Sequence, residues 1–142
     1  MRILAVDHGK KNIGLAISDE TGMLARPLGI IAHSSKLLDA AQVAEQATRQ
    51  AAERIIVGVS YDEEGQLNQA GRQAMNFAEV LKLQTELPVE MWDESLTTQD
   101  ARAVRLASGA PRKKRAGHLD DVAAAVLLQD YLDNHPVNSN EN

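Results

Sequence analysis

The sequence predicts an α/β protein. Its expected core is a five-stranded mixed sheet, three antiparallel strands followed by two parallel ones, flanked by helices. Three observations lead there. The first nineteen residues read as a hairpin: an apolar run to Asp7, a Gly/Lys turn, and a second run of period two. In that second run Ile13, Leu15 and Ile17 fall on one side, and Gly14, Ala16 and Ser18 on the other. Farther on, two short apolar runs, Arg54–Ser60 and Pro88–Trp92, each follow a segment of helical periodicity. That alternation is the mark of parallel strands reached by crossovers.

Each element has its own justification. Arg2–Asp7 and Asn12–Ser18 are the first two strands. Met23–Ala32 is the third, and Pro27 places it at a sheet edge, because proline cannot donate to a neighbouring strand. Ser34 or Ser35 caps a helix running to about Glu53, with Leu37, Ala40, Ala41, Ala44, Ala47 and Ala51 as its apolar stripe. Tyr61–Asn68 is a polar loop. A second helix spans about Gln69 to Thr85, with Ala70, Ala74, Phe77, Ala78 and Leu81 facing the core. Thr97 begins a third helix with capping-box spacing, ending near Ser108-Gly109. A basic loop, Ala110–Gly117, leads to a last helix from His118 or Leu119 to about Asp133, apolar nearly all round. Residues 1–135 are expected to form one domain, and 136–142 a flexible tail.

Composition narrows the function. Cysteine is absent, which excludes disulfides and thiolate metal sites and fits a reducing cytoplasm. The N-terminal apolar stretch breaks at Asp7, so no signal-peptide layout is visible, and no run reaches membrane-spanning length. A net charge of −5 argues against a wholly basic nucleic-acid-binding surface. The cations are clustered, however, at Lys10-Lys11 and at Arg112-Lys113-Lys114-Arg115. Local basic loops can hold phosphates on an acidic protein when cations neutralise its acidic centre.

Asp7 is the odd residue, a carboxylate in a strand that otherwise reads as buried. Glu94 follows the fifth strand, and Asp120 and Asp121 open the last helix. With strand one central, these acids converge at one edge of the sheet. Carboxylates without His or Cys partners favour a hard cation, Mg²⁺ or Mn²⁺. The competing reading makes Asp7 a turn residue and the other acids helix-end charges. Trp92 and His118 read as a core residue and a helix-start residue.

Three blocks resemble the YqgF family, also called RuvX, relatives of the RuvC resolvases with an RNase H-like fold. They are Asp7–Asp19, Val57-Gly58-Val59 with Trp92–Thr98, and Asp120–Gln129, in order and suitably spaced. The resemblance implies a magnesium-dependent nuclease acting on structured nucleic acid, with the 5′ end of pre-16S ribosomal RNA as the substrate. Holliday-junction DNA is the alternative substrate, and a non-catalytic ribosome- or RNA-binding module the alternative role. It implies Asp7, Glu94 and Asp120 as catalytic metal ligands, one ion held by Asp7 with Glu94 and another by Asp7 with Asp120. Asp120 is preferred to Asp121 by register, three residues before Ala123-Ala124 and nine before Gln129. Lys10, Lys11, Arg112, Lys113, Lys114 and Arg115 would hold the strand by its phosphates. A cytoplasmic location follows, with no membrane, ribosomal proteins as further partners, and a monomer or weak homodimer as the assembly. Asn12 and Ser95 stand where the family usually has arginine, and Ser60 where it has proline. Metal binding is thus better supported than the grip on substrate, because arginine's fork holds a phosphate as neither Asn nor Ser can.

Overall fold

The computed structural model describes residues 1–94 and 119–135, and for Leu119 and Asp120 the backbone only. The strands are β1 (Ile3–His8), β2 (Asn12–Ser18), β3 (Ala25–Ala32), β4 (Arg54–Val59) and β5 (Val89–Asp93). The described helices are α1 (Lys36–Arg49), α2 (Gln69–Gln84) and α3 (Leu119–Asn134). The sheet order is β3-β2-β1-β4-β5. β1 is central, antiparallel to β2 and parallel to β4, and β5 runs parallel to β4. This is the mixed sheet that the sequence predicts. The helix expected from Thr97, the basic loop and the tail lie outside the described residues.

Strand alternation sorts the core onto two faces. Leu4, Val6, Ile13, Leu15, Ile17, Ile55, Val57 and Val59 face α1 and α2, meeting Val43, Ala47, Phe77 and Leu81. Ile3, Ala5, Ala16 and Ile56 face α3, meeting Ala124, Leu127, Leu128, Tyr131 and Leu132. Ala5 and Ala16 are small, which lets the helix lie close to the middle of this face. Specific bonds fix its register. Gln129 Oε1 accepts from the Ala25 N–H at 2.9 Å, and Arg54 Nη1 donates to the Tyr131 hydroxyl at 2.9 Å. Trp92 half-buries its ring, donates Nε1–H to Asp130 Oδ2 at 2.9 Å, and meets Tyr131 edge-on. It is a packing residue, as its sequence context suggests.

Several boundaries move for physical reasons. α1 stops at Arg49, short of the expected Glu53. Ala51 turns left-handed at φ 55°, the Ala52 N–H bonds the Ala47 carbonyl at 2.9 Å, and the Ala51 N–H bonds Thr48 at 3.1 Å. This pair of bonds is a Schellman closure, with alanine where glycine is usual. Ser35 is the N-cap, accepting from the Leu38 N–H at 3.2 Å. β3 begins at Ala25, beyond the turn in which Asp19 accepts from Met23 and Leu24. Its pairing with β2 shifts register between Leu15 and Ala16, where Gly29 and Pro27 stand opposite. Pro27 does lie on an edge strand.

Candidate active site

β1 carries Asp7 to the carboxyl end of the central strand. By alternation from Ile3 and Ala5 it belongs to the α3 face, paired across from Gly14. Glu94 follows β5 directly, its N–H donating to the Val59 carbonyl at 2.8 Å. The two carboxyl groups, eighty-seven positions apart in sequence, hydrogen-bond to each other. Such a bond needs a proton on one of them, so the two ionise as a unit. Burial pushes the Glu94 carboxyl above the ordinary carboxylate range, and the nearby Asp93 charge adds to this, against the Asp7 hydrogen bond.

A gap in β4 makes room for Glu94. A Cβ on Gly58 would lie 2.6 Å from Glu94 Oε2 and 2.9 Å from Leu127 Cδ2. No such approach is tolerated, so Gly58 is the floor on which this carboxylate rests. The sequence reading gave Gly58 no role, yet a glycine inside a continuous apolar strand is the ordinary sign of a close approach.

The last helix runs antiparallel to β4: Tyr131 sits at Arg54, where β4 begins, and Leu127 at Gly58, near its end. The amino end of α3 therefore points to the edge that holds Asp7 and Glu94. Asp120 stands seven residues, about two turns, before Leu127, in line with it along the helix. Asp121 reads from sequence as a helix-end charge, but its Oδ1 is shut off from solvent, without a hydrogen-bond partner among the described residues. That is a cost, not a decoration.

The donor set suits a hard divalent cation. Asp7 and Glu94 offer oxygen ligands that repel when both are ionised. Among the described residues no three His, Asp or Glu side chains are grouped to hold a metal. The side chain of Asp120 lies outside them.

Lys10 and Lys11 are exposed on the β1–β2 turn, just beyond Asp7. Arg112, Lys113, Lys114 and Arg115 lie outside the described residues. A second pair of residues escaped the sequence reading. His33, past β3, and Asp39, in the first turn of α1, form an ion pair at 2.8 Å against that turn. Asp39 is four residues before Val43 and so falls on the apolar stripe, a place where an acid needs partners. That was its available signal.

Strand order and helix placement make this an RNase H-like fold. The RuvC resolvase of Thermus thermophilus, solved with a Holliday-junction substrate, matches with a TM-score of 0.57 at 19% identity, over 96% of each chain. The fowlpox virus resolvase with its junction DNA matches with a TM-score of 0.55 at 16% identity, over 96% of this chain and 100% of that one. Residues 1–134 match the family described as "RuvX: Holliday junction resolvase", and the chain belongs to it. Curated relatives named "Putative pre-16S rRNA nuclease" are similar along nearly their whole length. The protein from Halothermothrix orenii is 36% identical over 93% of this chain and 94% of its own. That from Desulforamulus reducens is 36% identical over 94% of this chain and 97% of its own. No described helix is long and apolar enough to cross a membrane.

Proposed function

We propose that this RuvX-family chain is a metal-dependent nuclease that cleaves phosphodiester bonds of structured RNA, with the 5′ end of pre-16S ribosomal RNA as substrate. The observation that carries the reading is the contact between the Asp7 and Glu94 carboxyls at the carboxyl edge of the sheet. Two acids forced together on rigid strands are an arrangement that a cation relieves. The names of the relatives support the RNA substrate.

In this reading Asp7, Glu94 and Asp120 hold Mg²⁺ or Mn²⁺. Bound there, the cation would supply Lewis-acid stabilisation of the charge that develops at phosphorus. The chain's own part is preorganisation. The central strand fixes Asp7, and Gly58 seats Glu94. Lys10 and Lys11, and with them Arg112, Lys113, Lys114 and Arg115, hold the strand by its phosphates and keep the scissile bond at the acids. Residues 1–135 act as one nuclease domain, in the cytoplasm, where precursor ribosomal RNA and ribosomal proteins are met.

The test is incubation with a 5′-extended 16S precursor and with a four-way DNA junction, each in Mg²⁺, Mn²⁺ and EDTA, for wild type and Asp7→Asn. The expected result is cation-dependent cleavage of the RNA by wild type alone. Preferential cutting of the junction would favour the second reading, which the family's own description supports. Binding of RNA without cleavage would favour a docking module. Asn12 and Ser95, in place of arginines, are the feature that supports that outcome.

A further inference from the structure

The basic turn after Asp7 is held by one residue from elsewhere in the chain. His33 donates its backbone N–H to the Lys11 carbonyl at 3.2 Å. Its ring Nε2 lies 2.6 Å from the Gly9 carbonyl oxygen, and its Nδ1 lies 2.8 Å from Asp39 Oδ2. Gly9 and Lys11 bracket the exposed Lys10, so a single side chain and its own amide pin both ends of the lysine-bearing segment.

Both ring nitrogens of His33 face acceptors. A carbonyl has no proton to give. The other Asp39 oxygen, Oδ1, already accepts from the Ser34 N–H at 3.0 Å and from the Ser34 hydroxyl at 3.1 Å. Only an imidazolium donates at both nitrogens. Asp39 keeps it charged from a buried position, with 3% of its side chain exposed.

We propose that His33, charged and fixed by Asp39, is a positioning residue for the phosphate-binding turn, so that nucleic acid binds more tightly while His33 is protonated. The proposal rests on the reading of Lys10 and Lys11 as phosphate contacts. Without its extra proton the ring sets a lone pair against one of its two acceptors. Either the turn is released, or Asp39 stays buried without its partner. A positive charge behind the turn disappears as well.

The surroundings agree. Burial opposes the charged ring, but Asp39 and the Gly9 carbonyl outweigh it and raise the His33 pKa above its ordinary 6.5. The ring of His8, on β1, is 4.9 Å away, and beyond it is the apolar Phe77. Burial, and then the His33 charge, push His8 below its ordinary value, so His33 takes up its proton before His8 does. Lys36 of α1 adds to the downward push on His8.

The test pairs binding with spectroscopy. A labelled 5′ precursor RNA hairpin is titrated in EDTA at constant ionic strength, from about pH 6 to about pH 8.5, the range that brackets a raised histidine. Wild type, His33→Gln and Asp39→Asn are compared, and amide spectra of the RNA-free proteins follow Gly9, Lys10 and Lys11. Wild-type affinity should fall roughly three- to tenfold as pH rises, the scale of one charge-assisted contact. Its midpoint should match that of the His33 ring and of the turn amides. His33→Gln should bind weakly at every pH and lose that transition, and Asp39→Asn should move the midpoint down. Parallel pH profiles for wild type and His33→Gln would overturn the proposal. So would turn amides that ignore the His33 titration. If wild type binds no nucleic acid at all, the phosphate reading of the lysines fails, and this positioning role fails with it.

Discussion

Once both are ionised, the touching carboxylates of Asp7 and Glu94 repel, at a cost to the fold. A divalent ion removes that cost, and by linkage stabilises the folded chain. Mg²⁺ or Mn²⁺ should therefore raise the melting temperature of wild type, and raise it less after Asp7→Asn. Equal shifts in calorimetry would remove Asp7 from the site. The pH dependence of the metal-free protein has a definite sign. Glu94 has a folded pKa raised above its ordinary 4.5, first by burial and then by Asp93. Its stabilising contribution is complete below that value and is lost as pH rises through the folded one. Without metal, Glu94→Gln should match wild type at low pH and exceed it near neutrality. Denaturant titrations at two pH values check this. The acids of α3 should differ. Asp120→Asn should abolish cleavage. Asp121→Asn should keep it and cost little stability, because its Oδ1 has no hydrogen-bond partner among the described residues. The reverse pattern of activities would put the register one residue off.

At the scale of an element, two backbone positions carry testable consequences. Ala51 closes α1 in the left-handed region at φ 55°, where a Cβ is strained. Ala51→Gly should stabilise the protein by about 0.5–1 kcal/mol, the strain relief exceeding the added freedom of the unfolded chain. An unchanged or lower melting temperature would contradict this account. Gly58 on β4 is the opposite case. Gly58→Ala would drive a methyl into Glu94 Oε2 and Leu127. It should cost about 1–3 kcal/mol by overpacking. It should also weaken the metal-induced stabilisation, because Glu94 must leave its seat. A variant with undiminished metal response would show that Glu94 has other room.

For the whole molecule, a net charge of −5 must be reconciled with a polyanionic substrate. The proposed answer is local: basic clusters at Lys10-Lys11 and at 112–115 hold the phosphates while a cation neutralises the acidic centre. Affinity for RNA should fall steeply with salt. Replacing Arg112, Lys113, Lys114 and Arg115 with alanine should flatten the log–log slope by about 0.7 for each phosphate that is no longer neutralised. An unchanged slope would make that segment an ordinary solvated surface.

Local chemistry was enough to read much of this fold. Period-two alternation sent Ile13, Leu15 and Ile17 to one face and Ala16 to the other, because side chains on a strand must alternate. Pro27 marked the edge strand, and the pair Ser34-Ser35 the start of α1, where the structure chooses Ser35, since each is a property of a single residue's donors and acceptors. Asp7 stood out as a charge in an apolar strand and Glu94 as an acid just past the fifth one, and the family resemblance implied their role as metal ligands. What the sequence could not contain is distance. That the Asp7 and Glu94 carboxyls touch depends on the register of three strands, β1, β4 and β5. That Gly58 is a seat depends on what lies above it. That His33 reaches Gly9 while Asp39 reaches His33 depends on how the end of β3 and the start of α1 fold against the first turn. Sequence pattern records which side chains must be buried or capped. Only the packed chain decides which of them meet, because contacts between residues far apart are fixed by the geometry of the whole sheet.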